Sequence, residues 1–221
     1  MRPLIALLAA LALLAALALA PALALPAEHA GAAAGGAEWL GPKPPAAPRR
    51  VVSLAPSLTD MVIALGKRDV LVGVTRYDDA PEVAALPRVG GFLDPSPEAV
   101  VALRPDLVLW MTDGGALPAV RRIASLGVPV RALPVVSVAD VLACARLTGA
   151  ALGDPPAGER LAASLGDAIA RARRAAPARP PRVLLVVGRD PLVVAGPGSY
   201  PDELLRIAGG ENVVRNARPW P

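Results

Sequence analysis

The chain has 221 residues, a formal net charge of +4 and a single cysteine, so an internal disulfide is excluded. Its one histidine, His29, lies in an Ala/Gly/Pro-rich stretch, which argues against a Ser-His-Asp triad, a Cys-His pair or a histidine-based metal site. The modest positive charge comes from scattered arginines without interleaved aromatic residues, and this argues against a nucleic-acid partner.

The N-terminal segment, residues 1–24, has the features of a cleavable secretory signal peptide. Met1-Arg2 provides a positive start, an unbroken Leu/Ala run follows, and Ala22-Leu23-Ala24 offers small residues at a cleavage site. The alternative is a membrane-spanning helix, for which about 20 apolar residues suffice. No cysteine is available there for lipid attachment, so we expect a free periplasmic protein. Residues 25–49 form a low-complexity linker.

Short apolar strands alternate with helices over residues 50–136, which predicts an α/β lobe with a mostly parallel sheet. Two helix starts carry capping signals: Ser57 with Asp60 in capping-box spacing, and Ser96 followed by Pro97 and Glu98. The predicted elements in chain order are strand Val51–Leu54, helix Ser57–Leu65, strand Leu71–Val74, helix from Ser96, strand Leu107–Met111, helix Ala116–Leu126 and strand Pro129–Leu133.

The sequence pattern of residues 137–180 predicts a helical connector. Val141, Ala145, Thr148 and Leu152 recur at helical spacing on one apolar face, and Cys144 reads as a small core residue beside them. A second helix, Ala157–Ala176, would span roughly 30 Å, enough to join two lobes.

Residues 181–221 predict a second, smaller α/β lobe. Val183–Val187 reads as a continuous strand of the buried parallel type. A strand and loop over Pro191–Gly198, a helix capped by Ser199 and ending at Ile207, and a strand from Asn212 follow.

Aromatic residues are scarce, yet Tyr77, Phe92 and Trp220 fall in loops rather than in core elements. In an open parallel sheet, ligands bind beside the carboxyl ends of the strands, so these loops predict a flat apolar platform for a large planar ligand. The alternative is that they are ordinary loop anchors.

The complete predicted ligand-binding set is Tyr77, Phe92, Met111, Asp113, Gly114, Arg189 and Trp220. For Asp113 and Arg189, plain turn chemistry is the alternative.

Five motifs in order carry a resemblance over residues 50–221: SLAPSLTD, VGVTRYDD, SPEAVVALRPDLVL, AGPGSYPDELLRIAGGENVV and RPWP. The chain resembles the periplasmic substrate-binding proteins of vitamin B12 and iron-siderophore ABC importers. The resemblance implies two α/β lobes joined by a long rigid helix, and the second lobe is then incomplete, as in a C-terminal truncation.

The resemblance also implies a function. It implies capture of cobalamin or a ferric-siderophore chelate, with Tyr77, Phe92 and Trp220 lining a cleft, and Glu98 meeting an arginine pocket on the permease. Phe92 stands where cobalamin binders often carry tryptophan, so the identity of the ligand stays open.

The alternatives are a heme-binding member of the same family or a truncated fragment without function. A secreted α/β hydrolase is not expected, because neither a nucleophile motif nor a usable histidine is present. We expect a monomer that is not an enzyme, with no cofactor, no resident metal and no nucleic-acid partner.

Overall fold

The computed structural model describes residues 37–112 and 115–216. These residues fall into two compact units. The first unit contains residues 37–112, 115–135 and 139–163, and the second contains residues 136–138 and 164–216. In the described ranges, no helix combines the length and the hydropathy that a membrane crossing requires.

A five-stranded sheet organises the first unit. Its strands are β1 (Glu38–Leu40), β2 (Val51–Ser53), β3 (Leu71–Gly73), β4 (Leu107–Met111) and β5 (Val130–Leu133), in the spatial order β1-β5-β4-β2-β3. The four strands β2 to β5 are parallel, and β1 pairs antiparallel with β5 at one edge. This arrangement confirms the predicted α/β class and its mainly parallel sheet.

Helices α1 (Pro56–Ala64), α2 (Pro97–Ala102) and α3 (Leu117–Ser125) connect strands β2 to β5. Helix α4 (Val138–Ala151) follows β5, and short 3₁₀ turns lie at Arg68–Val70 and Pro81–Val83. Strand β4 is buried along its whole length, as expected for a central parallel strand. Its residues Val108 and Trp110 belong to one apolar core with Val120 and Ile123 of α3. This core fixes the sheet whose strand ends carry the candidate site.

The two predicted capping signals in this unit had different outcomes. Ser96 is the N-cap of α2, and its Oγ accepts a hydrogen bond from the Ala99 amide at 3.2 Å, as predicted. The prediction of a capping box at Ser57 is wrong. Pro56 occupies the first turn, which suits its fixed φ and missing N–H, so Ala55 becomes the N-cap and Ser57 lies inside α1. The Ser57 hydroxyl instead donates to Met111 Sδ at 3.0 Å.

Strand β1 lies within the low-complexity segment and was not predicted from sequence. Trp39 pairs with Arg131 across the β1–β5 ladder, and the Arg131 guanidinium lies 4.9 Å from the centroid of the indole ring. Arg131 is buried, so a cation–π contact compensates part of the cost of removing its charge from water. The tertiary contact with Arg131 therefore stabilises a strand of only three residues.

The two connector helices follow the predicted pattern closely. In α4 the predicted apolar face is buried, and Cys144 is buried with it, as expected for a core residue. The next helix, α5 (Pro155–Arg174), is 20 residues long, and the boundary between the two units falls inside it, between Ala163 and Ser164. Asp154 accepts from the Ala157 amide at the start of α5 and pairs with Lys67 Nζ at 3.0 Å.

The second unit contains two separate two-stranded sheets. Its remaining elements are β6 (Arg182–Val183), β7 (Val186–Arg189), β8 (Leu192–Val194), α6 (Tyr200–Ile207) and β9 (Glu211–Asn212). Strand β6 pairs parallel with β9, whereas β7 and β8 form an antiparallel pair.

The prediction of one continuous buried strand over Val183–Val187 is wrong. The segment divides between β6 and β7, which belong to different sheets, and Leu184 and Val186 are 49% and 47% exposed. A two-stranded sheet offers too little surface to cover both faces of an apolar strand, so the run stays at the surface.

The GPGSYPDELLRIAGGENVV segment folds around one buried carboxylate, that of Asp202 in α6. Asp202 accepts from the Gly198 amide at 2.9 Å and from Asn212 Nδ2 at 3.0 Å, and it forms an ion pair with Arg206. Asn212 Nδ2 also donates to the Ala195 carbonyl at 3.0 Å. This part of the sequence signature therefore serves the architecture of the second unit.

Candidate ligand-binding site

The loops that carry Tyr77 and Phe92 lie side by side in the first unit. Val74 and Arg88 form an isolated parallel bridge beyond the end of β3, so segment 87–90 runs next to segment 74–76. The Arg76 amide donates to the Gly90 carbonyl at 2.8 Å. Backbone hydrogen bonds thus join the two loops that sequence analysis predicted to converge.

The backbone around Tyr77 is held by a tight polar turn. The buried carboxylate of Asp78 accepts from both the amide and the hydroxyl of Thr75, at 2.8 and 2.5 Å. The Tyr77 amide in turn donates to Thr75 Oγ1 at 3.2 Å. The Tyr77 side chain remains 44% exposed, so a rigid backbone presents an accessible aromatic ring.

The second loop, residues 90–95, presents two apolar side chains. Phe92 is half-buried, and Leu93 is 44% exposed. Gly90 has a φ of +111°, a conformation that favours glycine, and the Gly91 amide donates to the Asp94 carbonyl at 3.3 Å. We call the three side chains that these two hydrogen-bonded loops carry the apolar platform (Tyr77, Phe92 and Leu93).

The end of β4 borders this region on another side. Met111 is 5% exposed and accepts from the Ser57 hydroxyl, so it presents little surface to a ligand. A Cβ atom placed on Gly115 would lie 3.9 Å from Leu93 Cδ2, which brings the loop after β4 close to the platform. Asp113 and Gly114 lie outside the described residues.

Carboxylates flank α1 near the Tyr77 loop. Burial raises the pKa of Asp60, and the nearby carboxylates of Asp78, Asp79 and Glu82 raise it further. Within the described residues, no group of three or more histidine, cysteine or acidic side chains has the arrangement to hold a metal ion. Asp60 of α1 therefore lies within electrostatic reach of the acidic residues that follow Tyr77.

The other predicted ligand contacts belong elsewhere in the chain. Arg189 is the last residue of β7, is exposed and pairs with Leu192 in the β7–β8 ladder of the second unit. Trp220 lies outside the described residues. Their roles in binding stay predictions.

Glu98, the predicted permease contact, lies in the first turn of α2 and is exposed. The Ser96 hydroxyl donates to Glu98 Oε2 at 3.3 Å. The carboxylate is accessible to a partner and sits where the helix dipole favours negative charge.

Three residues of this region were not singled out from the sequence: Arg76, Leu93 and Asp94. Arg76 and Asp94 form an ion pair of 2.7 Å across the two loops. Eighteen positions separate them and they lie in different loops, where the periodicity of helices and strands does not apply. In the sequence, only the turn-forming pairs Gly90-Gly91 and Asp94-Pro95 indicate that loop 90–95 folds back on itself.

The sequence profile of the periplasmic binding protein family matches residues 51–218. This chain belongs to that family. The membership predicted from the five motifs is confirmed, and the match covers both units.

Individual relatives agree with this assignment. The vitamin B12-binding protein of Salmonella typhimurium is 34% identical over 180 residues, which cover 80% of this chain and 66% of that relative. The periplasmic heme-binding protein RhuT of Roseiflexus sp. RS-1 has a TM-score of 0.71 at 31% identity, covering 78% of this chain and 70% of that one. A periplasmic heme-binding protein of Pseudomonas aeruginosa has a TM-score of 0.65 at 32% identity, covering 76% of this chain and 64% of that one.

Proposed function

We propose that this chain captures a corrinoid or a ferric-siderophore chelate in the periplasm and delivers it to the permease of an ABC importer. The observation that carries the proposal is the apolar platform, held by backbone hydrogen bonds at the carboxyl ends of a parallel sheet in a periplasmic binding protein. The signal-like residues 1–24 support secretion to that compartment.

The chemistry of the platform favours a large, flat ligand. Exposed aromatic and aliphatic side chains gain from covering a planar macrocycle, and each aromatic stacking contact adds about 0.5 to 1.5 kcal/mol beyond area burial. Relatives named for vitamin B12 support a corrinoid, whereas two structural relatives named for heme support the heme alternative. Both ligands are metal-bearing macrocycles, so the same surface suits either.

We infer a binding role without catalysis. The platform consists of apolar side chains on a rigid backbone, and its polar neighbours, Thr75 and Asp78, are occupied with each other. Such an arrangement gives shape and apolar surface to a ligand and offers no activated nucleophile paired with a base. The one histidine of the sequence, His29, falls within the low-complexity segment.

Delivery would use Glu98. An exposed carboxylate at the edge of a protein contact affects association with its partner more than it affects a separate ligand site. In cells that lack their own binding protein but carry the cognate importer, expression of this chain is expected to restore ligand uptake. Glu98→Ala should lower that uptake several-fold and leave ligand affinity unchanged, because Glu98 is not part of the platform.

Glu159→Ala is a matched control, because Glu159 is also an exposed helix carboxylate in the first unit, where it pairs with Arg146 at 2.8 Å. Uptake should be normal in this variant. Uptake at the full rate in Glu98→Ala would show that docking does not depend on this residue, and no restoration by the unmodified chain would contradict delivery altogether.

A further inference from the structure

One ion pair joins the two loops that build the apolar platform. Arg76 Nη2 lies 2.7 Å from Asp94 Oδ2, and the two side chains are 48% and 62% exposed. Arg76 precedes Tyr77 directly, and Asp94 follows Leu93 directly. The pair therefore connects the positions next to two of the three platform residues.

The same guanidinium also contacts the aromatic ring of the platform. Arg76 Cζ lies 5.6 Å from the centroid of the Tyr77 ring, within the range of a cation–π contact. The guanidinium of Arg76 therefore contacts both the Asp94 carboxylate of one loop and the Tyr77 ring of the other. The bond to Asp94 and the neighbouring phenol both raise the pKa of Arg76, with Asp94 the larger cause.

The packing around Gly91 shows how closely these groups approach each other. A Cβ atom at position 91 would lie 3.1 Å from Tyr77 Cε2 and 3.2 Å from Arg76 Nη1, and closer still to Asp94 Oδ1. Any larger residue there would push the ring, the guanidinium or the carboxylate away. Gly91 is therefore required for all three groups to occupy their present places.

We propose that Arg76 and Asp94 are positioning residues, which hold Tyr77 and the 90–95 loop in the arrangement that receives the ligand. The proposal rests on the ligand-binding role proposed above. An exposed ion pair contributes little to folding stability, so its effect lies in the orientation of the loops. A binding surface that is ordered before the ligand arrives avoids the entropic cost of ordering on binding.

The first test needs no ligand. The sequence has two tyrosines, Tyr77 and Tyr200, so the full chain labelled with 3-fluorotyrosine should give two ¹⁹F resonances, assigned with Tyr77→Phe. Arg76→Gln and Asp94→Asn should each shift the Tyr77 resonance and leave the Tyr200 resonance in place, with the urea midpoint unchanged. A Tyr77 resonance that neither substitution moves would overturn the proposal.

The second test measures binding of cyanocobalamin, a ferric hydroxamate siderophore and hemin to the same variants. Each single substitution should weaken binding about two- to fivefold, the most that an exposed ion pair can supply, and the double variant should be no weaker than either single one, since both remove the same interaction. The exchanged pair, Arg76→Asp with Asp94→Arg, should recover part of the loss, which a general structural defect would not allow. Additive losses with no recovery would overturn the positioning role.

The two proposals fail in different ways. If the unmodified chain binds none of the three probes while the ¹⁹F shifts occur as expected, the ligand-binding function is contradicted and the control of Tyr77 by the ion pair stands. If the chain binds a probe and the variants bind it equally well, the positioning role is contradicted and the binding function stands.

Discussion

Tyr77→Ala is expected to weaken ligand binding by about 1 to 3 kcal/mol, the scale of an anchoring aromatic contact, which corresponds to roughly a 5- to 150-fold increase in Kd. Tyr77 is 44% exposed on a backbone fixed by Thr75 and Asp78, so its ring offers apolar area without a cost for ordering the loop. Removal of the ring deletes that contact and also the cation–π contact with the guanidinium of Arg76, which lies over it.

The measurement is the Kd of each variant for the ligand that the unmodified chain binds. Tyr77→Phe is the matched control, because it keeps the ring area and removes only the hydroxyl, and it should retain most of the affinity. Phe92→Ala should cost less than Tyr77→Ala, since Phe92 is already half-buried by the protein. Equal affinities of Tyr77→Ala and the unmodified chain would show that the apolar platform is not part of the binding site.

Asp202→Ala should destabilise the second unit by about 2 to 3 kcal/mol, because it removes a buried carboxylate that accepts several hydrogen bonds, and hydrogen bonds to a charged group are stronger than those between neutral groups. The Gly198 amide, Asn212 Nδ2 and the Arg206 guanidinium all donate to this carboxylate, whose side chain is 2% exposed. Arg206 is 62% exposed and can turn to water, so the loss is smaller than for a fully buried ion pair.

Urea unfolding measures this change, and Asp167→Ala is the control, since Asp167 is an exposed carboxylate on α5. The control should alter the free energy of unfolding by no more than about 0.5 kcal/mol. If Asp202→Ala is as stable as the control, the hydrogen-bond network around Asp202 does not hold the 196–212 segment together.

The same carboxylate predicts a pH dependence. Burial alone would raise the pKa of Asp202, but its bonds to Arg206, Gly198 and Asn212 outweigh burial and lower the pKa below its ordinary value of 3.8. A lowered acid pKa stabilises the fold above the ordinary value, and this stabilisation is lost as the pH falls through the pKa of the folded state. The difference in stability between the unmodified chain and Asp202→Asn should therefore shrink as the pH falls below about 4.

Local signals in the sequence predicted the elements that depend on nearest neighbours. Ser96 as the N-cap and Pro97 as the first helical residue fix the start of α2, and the apolar run of β4 by itself predicts a buried strand. Ser57 carried a similar signal and failed, because Pro56 competes for the start of the same helix. Capping rules thus decide a helix start only where one residue meets them.

Features that depend on distant residues could not be predicted from the sequence. Strand β1 exists because Trp39 meets Arg131, 92 positions away, and the segment itself has a linker-like composition. The exposure of Val183–Val187 depends on which strands pack beside this segment. Its apolar sequence alone does not predict those neighbours.

The candidate site likewise has one part that the sequence predicted and one part that it did not. The loops of Tyr77 and Phe92 were predicted to converge from the general rule for parallel sheets, and they lie side by side. The Arg76–Asp94 pair that joins them was not predicted, since both residues lie in loops, where side-chain spacing follows no regular period.

Titration calorimetry of the secreted chain with cyanocobalamin, a ferric hydroxamate siderophore and hemin tests the central claim most directly. We predict one-to-one binding of cyanocobalamin or the siderophore with a Kd of about 1 µM or tighter, equivalent to roughly −8 kcal/mol. Apolar burial on binding should give a negative heat-capacity change. Binding of hemin alone would assign the heme alternative, and a cooperatively folded chain that binds none of the three would contradict the account.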